Sequence, residues 1–458
     1  MGRLIIFLIS IYLLSSCRKE DEFTTNSSAK LEFSSQEVLF DTVFTSIGSA
    51  TKRIKIFNRN KKGVKISSIE LAGGNLSFYN INVNGQAVTQ LNDVEIRGED
   101  SIYLFVKVEI DPGSARLPFL ISDSVAFLTN GNLQYLRLSA YGQNANFIRD
   151  GRIDENTTWE NNIPYVIYNS LHISKGKSLT IPQGCQVYFH KDAGMDIEGT
   201  LKVEGSHEFP VLFQSDRRED VYADEPGQWQ GLHFLQGSMN NIINNAIIKN
   251  AVTAIQADSL SSNNRPKVML LNSSIKNMTL AAIAGIHTEI TGFNNLLSNC
   301  GQHLIYAVNG GNYNFKQNTF VNYNFYFSRT EPSLFFSDHL SASQQSQLNV
   351  TIINNIIWGS RNDEITIEKK SNAVLNMLVR NNLIRSSDKN LTGLGNIVNT
   401  DPAFADPQNS KFTLSENSAA NNKGENLSAD EYFTPWLSTD KEGKTRLFPS
   451  ELGCYELL

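Results

Sequence analysis

A six-residue motif that returns through the second half of the chain restricts the fold more than any other feature. Asn245-Ala-Ile-Ile-Lys-Asn250 is followed by Asn272-Ser-Ser-Ile-Lys-Asn277, Asn294-Asn-Leu-Leu-Ser-Asn299 and Gln317-Asn-Thr-Phe-Val-Asn322. Asn354-Asn-Ile-Ile-Trp-Gly359 and Asn381-Asn-Leu-Ile-Arg-Ser386 complete the series, with starts 27, 22, 23, 37 and 27 residues apart. A period in that range belongs to a solenoid. Upstream, apolar triplets follow one another with a turn between them: Leu171-His172-Ile173, Leu179-Thr180-Ile181, Val187-Tyr188-Phe189, Met195-Asp196-Ile197, Leu201-Lys202-Val203 and Val211-Leu212-Phe213. Strands that short are stable only with a like strand stacked above and below. The leucine spacing of leucine-rich repeats is absent, and no 3.6-residue period survives for helical repeats. Parallel β-strands wound into a coil fit. Apolar residues stack inward about 4.8 Å apart, while Asn at the bends forms amide ladders and accepts left-handed backbone. Residues 160–400 are expected to make roughly ten such turns, about 45–50 Å long. Ile247 and Ile356 are expected in the core, so that Asp at either unfolds the coil.

Residues 30–145 have another texture. Arg53-Ile54-Lys55-Ile56-Phe57, Val64-Lys65-Ile66 and Ile102-Tyr103-Leu104-Phe105-Val106-Lys107-Val108 alternate with period two between Asn- and Gly-rich turns. That pattern indicates antiparallel sheets and suits an immunoglobulin-like sandwich acting as a spacer. A polar link is expected around Asn144 to Trp159. The expected architecture is therefore all-β: an Ig-like β-sandwich, a parallel β-helix and a closing segment.

At the start, Arg3 precedes the apolar run Leu4 to Leu14, too short to span a bilayer and read as a signal peptide over residues 1–16. Leu14-Ser15-Ser16-Cys17 resembles the bacterial lipobox, which implies cleavage before Cys17, lipid on its sulfur and membrane anchoring. Arg18-Lys19-Glu20-Asp21-Glu22 resembles the surface-export signal of Bacteroidota lipoproteins. Residues 17–29 are read as a lipid-anchored tether, and the expected location is the outer membrane, facing the exterior. The resemblance extends along the chain. The coil resembles the right-handed parallel β-helix repeat domains related in shape to pectate lyases, and Gly227-Gln228-Trp229-Gln230-Gly231-Leu232 resembles the element that opens a rung in such lipoproteins. Asp401-Pro402-Ala403-Phe404, Asp440 to Arg446 and Leu452-Gly453-Cys454-Tyr455-Glu456 resemble their closing segment, so 401–458 is expected to be a C-terminal cap.

Chemistry is harder to place. The net charge of −6 argues against nucleic acid as a partner. Cys185, Cys300 and Cys454 form neither a CxxC pair nor a metal-spaced cluster, and no nucleotide, hydrolase or zinc motif is present. No cofactor is expected; calcium is the ion acids in a β-helix would take, without a motif for it. His172 and His190 are read as structural. The richest polar stretch holds Asp216, Asp220, Asp224 and Glu225, the candidate catalytic acids, with Tyr222 and Trp229 nearby. The wide spacing after the fourth repeat implies an insertion within 328–347 that carries Phe335, Phe336, Asp338 and His339, preceded by Asn324-Phe325-Tyr326-Phe327. Tyr222, Trp229, Phe335, Phe336 and Trp358 are the candidate ligand-binding aromatics. The expected function is non-catalytic binding of a glycan or other surface polymer. The alternative is a polysaccharide-active enzyme, lyase or glycoside hydrolase, that uses the acids at 216–225.

Overall fold

A computed structural model describes residues 22–45, 48–111, 119–323, 329–341 and 343–457. The signal peptide, Cys17 and Asn324 to Phe327 lie outside these residues. The chain divides into two compact units between Asn144 and Ala145.

The first unit is a β-sandwich of two five-stranded sheets. Alternation does the work here: Val64–Leu71 buries Val64, Ile66, Ile69 and Leu71, and Ser101–Val108 buries every second residue. These side chains meet in one core with Phe40, Phe127 and Leu138. One pairing departs from an all-antiparallel expectation. Glu37–Phe44 runs parallel to Asn132–Gln143, whereas Glu32–Phe33 just before it pairs antiparallel with Lys52–Phe57 in the other sheet. The stretch read as a tether is held from Glu22 onward. Thr24 N donates to Gly63 O at 2.8 Å, Asn132 Nδ2 donates to Ser27 O at 2.6 Å, and Ala29 is buried.

The second unit is a parallel β-helix built on a 25-stranded ladder. It opens at Asn146–Ile153, which pairs parallel with Tyr165–Ile173, so the coil begins within the stretch read as a polar link. Each turn visits three sheets in order. Sheet A holds the repeat motif, as in Ala246–Lys249, Ser274–Lys276 and Thr319–Asn322. Sheet B contains Gly194–Ile197, Gly231–Phe234 and Thr253–Asp258, and sheet C contains Thr200–Glu204, Asn241–Asn244 and Val268–Leu271.

The motif's first two residues make the bend from sheet C to sheet A. Asn245, Asn272, Asn294, Gln317, Asn354 and Asn381 all have φ between 49° and 59°, where Asn is tolerated. The next residue points inward. From Ser273 on, each backbone N–H there donates to the following turn's side-chain oxygen: Ser273 to Asn295, Asn295 to Asn318, Asn318 to Asn355, Asn355 to Asn382 and Asn382 to Asn396. This register corrects the expected core positions by one residue. Ile248 and Ile357 face the interior, and Ile247 and Ile356 face outward.

The closing segment also differs from a cap placed over the coil's end. The hairpin of Phe404–Asp406 and Lys411–Leu414 packs on Val321, Ile356, Trp358 and Leu383, the outer side of sheet A. Leu427, Trp436 and Leu437 then pack on Leu271, Phe293 and Ile353, the outer side of sheet C. Polar ties run back along the bend: Glu425 N donates to Asn354, Asn294 Nδ2 donates to Trp436 O, and Lys441 Nζ donates to Asn272 O. The segment is a strap along the coil.

Candidate functional site

Strap and loop leave one face of the coil open. Residues 216–228 lie on the outer side of sheet A in the early turns: Asp224 pairs with Lys276 at 3.2 Å, and Asn250 donates to Tyr222 O and Ala223 O. The strap covers sheets A and C in the later turns. Among the described residues, no apolar cluster or hydrogen bond ties either segment to the outer side of sheet B.

Stacking turns that face into one continuous row. The register aligns Arg152, His172, Asp196, His233, Gln256, Ala284, Tyr306, Phe335 and Thr366, one per turn and all outward. From Asp196 to Phe335 the row spans about 24 Å. Its two ends differ in chemistry.

At the first end, His233 lies between two carboxylates. Its Nε2 is 2.6 Å from Asp258 Oδ2 and its Nδ1 is 3.4 Å from Asp196 Oδ1. Gln256 Nε2 donates to Asp258 Oδ1 at 3.4 Å, and His172 Nε2 lies 3.5 Å from Glu198 one turn back. With a carboxylate within reach of each ring nitrogen, the imidazole is fixed in orientation and presents a polar cluster at the surface of the coil. Two shallow clefts border the group. One of about 270 Å³ is lined by Asp192, Gly194, Asp196, Gly231 and His233, and one of about 530 Å³ by Glu198, Leu235 and Asp258. Glycine is required in the first. Gly231 has φ +122°, and a Cβ there would stand 1.7 Å from Thr253 O. The corner is fixed by Lys267, fully buried, whose Nζ donates to Leu235 O, Asp258 O and Ser259 Oγ.

At the other end the row is aromatic. Tyr306 and Phe335 stack with centroids 5.7 Å apart and planes 14° apart, and His303 stacks on Tyr306 at 5.1 Å. His303 is pushed down by burial, and its Nδ1 lies 2.7 Å from Pro332 O. Tyr306 and Phe335 are half-buried on the outer side of the sheet.

The candidates read from sequence are dispersed by comparison. Asp216 is buried against His190 (Nδ1 to Oδ2 2.7 Å), and burial raises its pKa against the opposing pull of His190. His190 stacks on Tyr168, so this pair belongs to sheet A's edge. Asp220, Asp224 and Glu225 are exposed in the loop over sheet A, and Tyr222 lies under Arg217 at 3.9 Å. Three aromatic assignments are corrected because the side chains are buried. Trp229 is wholly enclosed, stacked on Phe189 at 4.0 Å with Nε1 donating to Lys249 O. Phe336 points into the core, and Trp358 lies under the strap hairpin. Of the five aromatics, Phe335 alone stands on the open face. The inferred insertion is divided: Leu334–Ser337 is a sheet B strand, and His339–Ser341 with Gln344–Gln345 forms a small hairpin beyond it. Asp338 is structural. Burial alone would raise it, but the amides of Lys370 and Ser371 hold it below the usual carboxylate range.

Asp196, His233, Asp258 and Tyr306 were not singled out in the sequence. The signal was the equivalence of Gly194-Met195-Asp196 with Gly231-Leu232-His233, which puts both side chains in one row.

No protein-family model matches the chain, and no curated protein matches it. Among solved structures, 26% of the chain is similar to a family 123 glycoside hydrolase from Clostridium perfringens, at 10% identity and TM-score 0.19, and spans 30% of that protein's length. The same share is similar to 89% of a PapD-like domain of human CEP192, at 12% identity and TM-score 0.18. A larger share, 76%, is similar to 89% of the catalytic unit of a GH87 α-1,3-glucanase from Streptomyces thermodiastaticus, at 10% identity and TM-score 0.19.

Proposed function

We propose that the outer face of sheet B binds a polysaccharide chain laid along the coil axis, and that the protein presents this face at the cell surface from a lipid on Cys17. The supporting observation is the uncovered row from Asp196 to Phe335, which joins hydrogen-bonding groups at one end to stacked rings at the other. Aromatic faces take the apolar face of a sugar, and carboxylates with an imidazole and an amide take its hydroxyls.

A second reading, glycosidic-bond hydrolysis, has its own observation. Asp196 and Asp258 approach opposite nitrogens of His233, so their nearest oxygens are no more than about 8 Å apart, inside the span of a paired-carboxylate hydrolase.

The test is a glycan-array screen of the full chain, with every hit then incubated and assayed for new reducing or unsaturated ends. Binding that weakens in Tyr306→Ala and Phe335→Ala, without product, supports the binding reading. Product that disappears in Asp196→Asn or Asp258→Asn moves the assignment to hydrolysis. A chain that binds no glycan overturns both. For the anchor, Cys17→Ser should leave the protein unlipidated and out of the membrane fraction; normal retention would refute that part.

A further inference from the structure

A second cleft, of the opposite charge, opens around the corner from sheet B. It lies on the outer side of sheet C in the early turns and encloses about 550 Å³. Lys177, Lys202 and Arg265 line it over an apolar floor of Met239, Ile242 and Met269, and among the described lining residues there is no Asp or Glu. All three cations are exposed. In a chain with 46 acidic and 40 basic residues, a cleft lined by cations alone is a local segregation against the overall charge.

Ile242 and Met269 line the cleft and also border the apolar cluster that the strap forms with Leu271, Phe293 and Ile353, so the opening adjoins the strap's cover of sheet C. Its far edge adjoins the acidic site. Gly237 borders both this cleft and the one formed by Glu198 and Asp258. The corner between them is pinned by the buried Lys267, so the two clefts hold a fixed relation.

We propose that the sheet C cleft binds the anionic substituent, carboxylate or sulfate, of an acidic polysaccharide whose backbone continues over Gly237 onto sheet B. This rests on the glycan reading of sheet B and names the substrate class for it. The apolar floor between the cations fits a sugar ring carrying a charged group better than a bare inorganic anion. On the other side of Gly237, Glu198, Asp258 and Asp196 repel a second anion, so the charged sugar seats on sheet C and an uncharged part of the chain lies at His233.

The experiment is calorimetric titration of the full chain with four probes of matched length: a neutral glucan, a uronate oligomer, a sulfated galactan oligomer and inorganic polyphosphate. The same set is run on the triple variant Lys177→Gln/Lys202→Gln/Arg265→Gln, whose sites are exposed. One or both acidic oligosaccharides should bind about tenfold tighter than the neutral glucan, and that margin should vanish in the triple variant and shrink at high salt. The arm that binds tells carboxylate from sulfate. Equal binding of neutral and acidic sugars, or a margin that survives the triple variant, overturns the proposal. If Tyr306→Ala still weakens neutral-glucan binding in that case, the sheet B reading stands alone. Polyphosphate binding as tightly as the acidic sugars overturns the assignment to a glycan. Binding of no oligosaccharide fails both readings.

Discussion

Replacing Asn318 with Leu tests whether the coil is held by its internal amide ladder or by apolar stacking alone. Asn318 is fully buried, and its Oδ1 accepts from both the backbone N–H and the Nδ2 of Asn295 at 2.9 Å. Its Nδ2 donates to Gly292 O at 2.9 Å and Lys316 O at 3.0 Å. Leucine has similar bulk but no amide, so the Asn295 N–H and at least one carbonyl lose their partners away from water. A stranded buried group costs about 1–3 kcal/mol, so two give a loss of roughly 2–6 kcal/mol. An outer ladder supplies the control. Asn349 accepts from Asn376 Nδ2 at 2.7 Å on the solvent side of sheet C, where water replaces the bond, and Asn349→Leu should change stability by less than about 1 kcal/mol. Urea unfolding gives both values, and hydrogen exchange at the Asn295 amide gives the local effect, since neighbouring turns carry the coupling in a solenoid. If Asn318→Leu costs no more than Asn349→Leu, the ladder does not hold the coil.

Three further outcomes are expected. Burial and the hydrogen bond shared with Glu451 raise Glu456 to about 8, against the pull of Arg446. Its folded pKa exceeds the unfolded value, so the stabilising proton is present at acid pH and stability falls as pH rises from about 4.5 to about 8, by a few kcal/mol at most. Denaturant midpoints at pH 5 and pH 8 measure this, and Glu456→Gln should flatten the difference; a midpoint that rises over that interval contradicts the assignment. Ile248→Asp should abolish folding of the coil by placing a charge in its core, whereas Ile247→Asp, one residue away and half-exposed, should leave a cooperative melt. Equal effects of the two would refute the register. Lys267→Met should strip the donors from Leu235 O and Asp258 O and cost about 2–6 kcal/mol. A melting temperature within a degree of wild type would show that Lys267 does not pin the corner.

The coil was legible because its constraint repeats. The motif's first residue must turn the chain at positive φ, and its second, from Asn295 on, must join the amide ladder between turns, so spacing alone revealed the winding. The inward register was not legible, for a physical reason. Ile356 and Trp358 are apolar although they face outward, because the strap hairpin covers that side of sheet A, and a run apolar on both faces has no alternation to read. The strap itself read as a cap because its contacts with Asn272 and Asn294 lie more than 100 residues back in the chain. The site was hidden in the same way. Asp196, His233 and Tyr306 are separated by tens of residues and fall into one row only through the parallel register, whereas the acids near 220 stand out by crowding and are tied to Lys276, Asn277 and Arg217.

The most direct test of the central claim is a crystal structure of the full chain with the tightest-binding oligosaccharide from the array. The account predicts sugar rings on the outer side of sheet B, stacked on Tyr306 or Phe335 and extending toward His233. An oligosaccharide seated on the loop at 216–225, or on the sandwich with sheet B bare, would contradict it.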